Sequence, residues 1–157
     1  MMTFPVFFLR TRYFLEVYEC QFFYQRKNCK KHGHFKKKIN RKTGIEIYEI
    51  RIEKEDNHAA KVYTYAHELA HMINRHLDTK SLTYAQQEWV AHHVGMYFIE
   101  YFGLERQLVR SKLFQKFNVN EYANMWLRDK VVSDQRFKLM QSQVEDTVIA
   151  IRVKGGF

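Results

Sequence analysis

Three features of the sequence predict an α+β fold, a small antiparallel or mixed sheet packed against helices. Residues 45–54, IEIYEIRIEK, alternate β-branched and charged side chains as a half-buried strand does. Residues 59–76 and 83–102 read, from the signals at their ends, as two long helices joined by a short loop. The chain has 157 residues, 46% hydrophobic and 16% aromatic with one proline, enough for a hydrophobic core without staples. No repeat, low-complexity tract or linker divides it, so a single domain over 1–157 is expected.

The elements follow in order. After Pro5 the apolar residues Phe7, Phe8, Leu9, Phe14, Leu15, Val17, Tyr18, Phe22 and Phe23 recur with charges between them, closer to helical than alternating spacing. A first helix over 4–26 is expected, with its aromatics covering the sheet. Residues 27–42 form a basic segment with Lys27, Lys30, Lys31, Lys36, Lys37, Lys38, Arg41 and Lys42 and no acid. Asn40–Gly44 reads as a turn, so part of 35–41 can pair with the 45–54 strand as a hairpin. Asp56-Asn57-His58 supplies a cap for the helix from Ala59 to His76, which Asp78–Ser81 ends. Thr83-Tyr84-Ala85-Gln86 has capping-box spacing, and Gly103 suits the C-terminus of the helix it opens. Residues 105–117 form a third helical piece, and Asn118–Glu121 is a further capping box before Tyr122–Leu127. The tail Asp146–Lys154, DTVIAIRVK, reads as a last strand.

Charge and cysteines narrow the setting. A formal net charge of +9 favours acidic partners. The Lys27–Lys42 segment could touch phosphates, but it lacks interleaved aromatics or an arginine cluster, so nucleic acid is not the favoured partner. Lysines on a strand edge also discourage edge-to-edge pairing. Cys20 and Cys29 form neither a knuckle nor a disulfide framework and fit free thiols in a reducing, cytoplasmic setting. Neither a membrane span nor a signal peptide is read. Oligomeric state is not legible.

The chemistry concentrates in Tyr63–Ile73, YTYAHELAHMI. Residues four apart share a helix face, so His67 and His71 can aim two imidazoles at one ion, Zn2+, while Glu68 beside them activates a water. A catalytic zinc site needs a third protein ligand. Glu88 lies on the next helix, seventeen residues beyond His71, on one face with Ala91, His92 and Gly95. The small residues there would let the two helices approach closely. His92 is the alternative ligand, or a group that orients one. His93 points about 100° away by helical periodicity, and His76 is turned off the His67/His71 face. His32, His34 and His58 have no partnered geometry. Glu68 would be the general base. The oxyanion donor stays open among Tyr63, Tyr65, Tyr84, Tyr97, Tyr101 and Tyr122.

HELAHMINRH, a short loop and EWVAHHVG together resemble the ImmA/IrrE family of zinc metallopeptidases and the related peptidase domain of ArdC-type antirestriction proteins. Glu88, Ala91, Val94 and Gly95 match the spacing of that family's second motif. Val90 stands where a further glutamate is frequent, and His92 where asparagine or glutamate commonly follows the alanine. The stretch MYFIEYFGLE is similar to the tyrosine-rich helix end of the ArdC-type proteins. The resemblance covers roughly residues 45–104. It implies a compact zincin-like α+β domain, encoded by phages, mobile elements or bacteria, that hydrolyses peptide bonds in a protein regulator such as a transcriptional repressor. The competing expectation is a non-catalytic protein- or DNA-binding protein on a peptidase-like scaffold, favoured by the lysine block.

Overall fold

The computed structural model describes residues 1–25, 32–76, 82–116 and 132–157. Helix α1, Phe4–Val17, starts at Thr3 with Pro5 in its first turn, where a missing N–H costs nothing. It buries Phe4, Phe7, Thr11, Phe14 and Leu15 and stops well short of the predicted residue 26. Tyr18 closes it, Glu19 takes φ 51°, and the chain leaves as strand β1, Cys20–Gln25. The aromatics of 20–25 are therefore sheet residues. Phe22 turns toward α1, 4.7 Å from the ring of Phe8, while Phe23 is exposed.

Strands β2, Gly33–Ile39, and β3, Glu46–Glu53, form the predicted hairpin around the Asn40–Gly44 turn. β3 is central: it pairs with β1 in parallel (Phe22 opposite Ile50) and with β2 antiparallel (Phe35 opposite Ile50). The sheet is mixed, ordered β1-β3-β2, and one face lies on the helices. Ile50 and Ile52 are fully buried there, because alternate residues of a strand share a face.

Helix α2, His58–His76, packs between that face and helix α3, Tyr84–Tyr101. Its start is fixed by Asn57, whose Oδ1 accepts the N–H of Ala60 at 2.9 Å. The predicted capping box of α3 is formed by Thr83 and Gln86. Gly103, at φ 66°, allows the chain to turn back at its end, and the N–H of Leu104 reaches the Ile99 carbonyl. Residues 105–116 give two short helices, α4, Glu105–Val109, and α5, Lys112–Lys116. The expected cap at Asn118–Glu121 and helix at Tyr122–Leu127 lie outside the described residues.

The predicted final strand is overturned. Residues 134–155 are one helix, α6, Asp134–Gly155, capped by Ser133. Its buried face runs Met140, Gln143, Thr147, Ile151, Gly155, at three- and four-residue steps. Two of those positions are polar. Gln143 Nε2 and Thr147 Oγ1 both donate to Asn74 Oδ1 of α2, at 2.7 and 2.8 Å. This buried network interrupts the apolar periodicity, leaving the β-branched run of DTVIAIRVK as the dominant local signal. Behind it Phe7 gathers Phe98, Phe102 and Phe157 at ring distances of 5.3–5.7 Å, closing α1, α3 and the end of the chain together.

Candidate metal centre

The site is built by two helices that run antiparallel in close contact. Tyr63 of α2 lies beside Gly95 of α3, while His67 and His71 lie beside Glu88. A Cβ on Gly95 would sit 2.7 Å from the Tyr63 ring and 3.0 Å from its carbonyl, so only glycine permits this approach. Ala91, one turn away, is fully buried in the same contact. The small residues noted in the sequence are thus the seam that brings a carboxylate from α3 to the imidazoles of α2.

Three ligand atoms converge there. His67 Nε2 and His71 Nε2 are 3.2 Å apart; Glu88 Oε2 is 3.1 Å from the first, and Oε1 is 2.9 Å from the second. Tetrahedral zinc with ordinary bond lengths needs donor atoms about 3.3 Å apart. Two imidazoles and a carboxylate are a zinc donor set. Without a cation the triad is awkward, since two ring nitrogens this close cannot both carry a proton toward each other. Burial alone would raise the Glu88 carboxyl, but hydrogen bonding and electrostatic attraction from the His67 and His71 imidazoles hold it well below the ordinary carboxylate range. Burial likewise opposes charging His71, and Glu88 and Glu68 together overcome it.

Glu68 is the opposite case. It is buried beside the triad, and its carboxylate makes no hydrogen bond or ion pair with another described residue. Burial raises its pKa against the pull of both histidines. An acid of the same size and depth as Glu88 is therefore left with its proton affinity high and its oxygens uncommitted.

The remaining candidates fall elsewhere. His92 is not in the triad; its Nδ1 faces the Tyr63 hydroxyl at 2.7 Å. Burial, with His93 and His67 nearby, lowers its pKa to about 3, so the ring is neutral. Its place is against Tyr63, whose ring centre is 5.9 Å from that of His67. His93 packs on Trp89, 4.1 Å between ring centres. His58 accepts the N–H of Phe4 at the start of α1, and His34 pairs with Glu49 at 3.0 Å. His76 closes α2, and its side chain lies outside the described set.

His32, Glu53 and Asp56 form a second group of ligand atoms. Asp56, however, is engaged with the backbone N–H groups of Asn57, Lys112 and Leu113, where it caps α5. The tyrosines also sort by position. Tyr65 is fully buried against Thr11, Tyr97 meets Arg152, and Tyr122 is outside the described residues. Tyr84, one turn before Glu88 and largely exposed, lies near the Glu88 carboxylate, whose charge adds to burial in raising its pKa. In the sequence it is one of six candidate tyrosines of equal chemistry. Its four-residue spacing from Glu88 was the available signal.

The chain matches no family model, no curated protein and no solved structure. What stands is the site itself. A His-Glu-x-x-His helix with a distal glutamate bonded to both histidines is the arrangement of a zincin-like, gluzincin-type metallopeptidase active site. Among the described residues no helix is long and apolar enough to cross a membrane.

Proposed function

We propose that this protein is a zinc-dependent peptidase acting on an extended segment of a protein substrate. The observation that carries this is the convergence of His67, His71 and Glu88 within 3.2 Å, with the uncommitted carboxylate of Glu68 beside them. His67 Nε2, His71 Nε2 and Glu88 would hold the ion. When bound, zinc supplies an acidified water and polarises the scissile carbonyl.

The rest is done by the chain. Glu68 takes the proton of the attacking water and returns it to the leaving amine, a shuttle suited to a carboxyl whose proton affinity is raised. Tyr84, exposed and near Glu88, is the donor for the oxyanion. His92 steadies Tyr63 behind His67. The substrate lies along β2, an edge strand among the described residues. A Cβ on Gly33 would stand 3.6 Å from Glu68 Oε1, so the start of that edge borders the catalytic carboxylate. An extended peptide can add there as a further strand.

The finer assignment rests on the resemblance in Glu88, Ala91, Val94 and Gly95: an ImmA/IrrE-type peptidase, acting in the cytoplasm on a protein regulator. The packing of Ala91 and Gly95 at the α2–α3 seam supports it. The deciding experiment compares zinc-loaded wild type with Glu68→Gln on an unfolded protein substrate. The variant should keep its zinc and lose about 10²–10⁴ in rate, the usual worth of a general base. Full activity in Glu68→Gln, or its loss together with the zinc, would remove Glu68 from the chemistry.

A further inference from the structure

Resting on the reading that the β2 edge receives the substrate, we infer that the segment it takes is acidic, recognised by cations displayed on both faces of that edge. Along β2, alternate residues face opposite sides. Phe35 packs toward the helices, its ring stacked 5.5 Å from that of Tyr48, and Gly33 and Lys37 share its side. His34, Lys36 and Lys38 share the outer side.

On the outer side Lys36 is exposed and has no ion pair among the described residues. The acid opposite it in register, Glu49, is only 1% exposed, roofed by Lys38 at 2.8 Å, Arg51 at 3.0 Å and His34 at 3.0 Å. Its negative charge is spent inside the cluster, and the lysines and arginine above it carry the surface. These contacts hold the Glu49 carboxyl down at about 2 against the effect of burial, so it stays anionic and keeps the cations in place. On the helix side, Lys37 pairs with Glu46, and Arg75 is exposed over the Tyr48 ring at 5.5 Å.

A strand added beside β2 therefore meets positive charge whichever way its side chains alternate. At about 3.4 Å per residue, Lys36 stands about 10 Å along the edge from Gly33 and Glu68. A carboxylate three residues from the one opposite Gly33 would meet it. The occupant that fits is an extended acidic peptide. A nucleic acid would use the same charges without strand hydrogen bonds.

The test reads binding rather than turnover, so it is independent of the hydrolysis experiment. Zinc-loaded Glu68→Gln is titrated into two fluorescein-labelled peptides, identical except for glutamates or lysines at alternate positions, and anisotropy is followed. The glutamate peptide should bind about tenfold tighter or more, in line with the cost of like-charge contacts. That preference should shrink in Glu68→Gln/Lys36→Gln, which breaks no ion pair among the described residues, and reverse with Lys36→Glu, each checked for unchanged thermal unfolding. N-methylation at alternate backbone nitrogens of the peptide should abolish binding. The inference is overturned by equal or absent binding of the two peptides, by a preference that neither Lys36 variant moves, or by indifference to N-methylation. Displacement of the peptide by duplex DNA that binds more tightly through the same lysine would also overturn it.

Discussion

Glu49 and Glu88 are both buried carboxylates kept ionised, and for the same reason: the hydrogen-bond donors around each outweigh the cost of removing it from water. Glu68 has no such donors, and its pKa moves the other way. On the proposed function this difference would divide the work, with Glu88 binding the cation and Glu68 carrying the proton. Glu49 lies away from the metal ligands and gives a clean pH signature. Its pKa in the folded chain, about 2, is below the ordinary 4.5, so its contribution is complete above pH 4.5 and is lost as pH falls toward 2. We expect wild type to lose on the order of 2 kcal/mol of unfolding free energy across that window from this group alone. Urea unfolding at stepped pH should show a shallower decline for Glu49→Gln; an identical slope would mean that Lys38, Arg51 and His34 do not hold it. At this scale the sequence was readable where spacing dictates geometry. His67 and His71 had to share a face, and Glu88 was the acid in register on the next helix. Contacts between elements, such as Tyr63 with His92 or Glu49 under its cations, depend on packing that no spacing encodes.

The α2–α3 pair is the element on which the site stands, and its tight point is Gly95 against Tyr63. Replacing Gly95 with alanine places a methyl 2.7 Å from the Tyr63 ring, which cannot yield far while its hydroxyl is bonded to His92. We expect a loss of about 1–3 kcal/mol, the usual cost of overpacking, and weaker zinc binding, because the helices must separate and Glu88 moves with α3. Chemical denaturation and competition with a zinc chelator would read both. Unchanged stability and affinity would show that the close approach is not what sets Glu88. Elements whose limits are written in local chemistry were foreseen: Asn57 and Thr83 as caps, Gly103 as a stop, the alternation of β3. Two were not. β1 follows α1 with no glycine or proline between them, only Tyr18 and Glu19, so its aromatics read as more of the helix. In α6 the polar Gln143 and Thr147 face inward to Asn74, and a helix with a partly polar buried face presents a strand's β-branched pattern at its end.

Across the whole molecule, α2 is the axis. The mixed sheet lies on one side of it, α3 and α6 on the other, and α1 closes the aromatic core. The start of β2 borders Glu68, so in the proposed mechanism that carboxylate meets the edge along which the substrate would lie. The α+β class and the order of the two site helices were legible in the sequence. The parallel pairing of β1 with β3 was not, since it joins residues nearly thirty apart that carry no shared local signal. The proposed mechanism requires one ion held by two imidazoles and the Glu88 carboxylate, with a position left for water. X-ray absorption at the zinc edge, on protein loaded with one equivalent, reads that first shell. Wild type should show two imidazole nitrogens and two oxygen donors at about 2.0–2.2 Å, and Glu88→Ala should lose its carboxylate oxygen along with most of its affinity. A first shell unchanged by Glu88→Ala, or one without the two imidazoles, would rule out this ligand set.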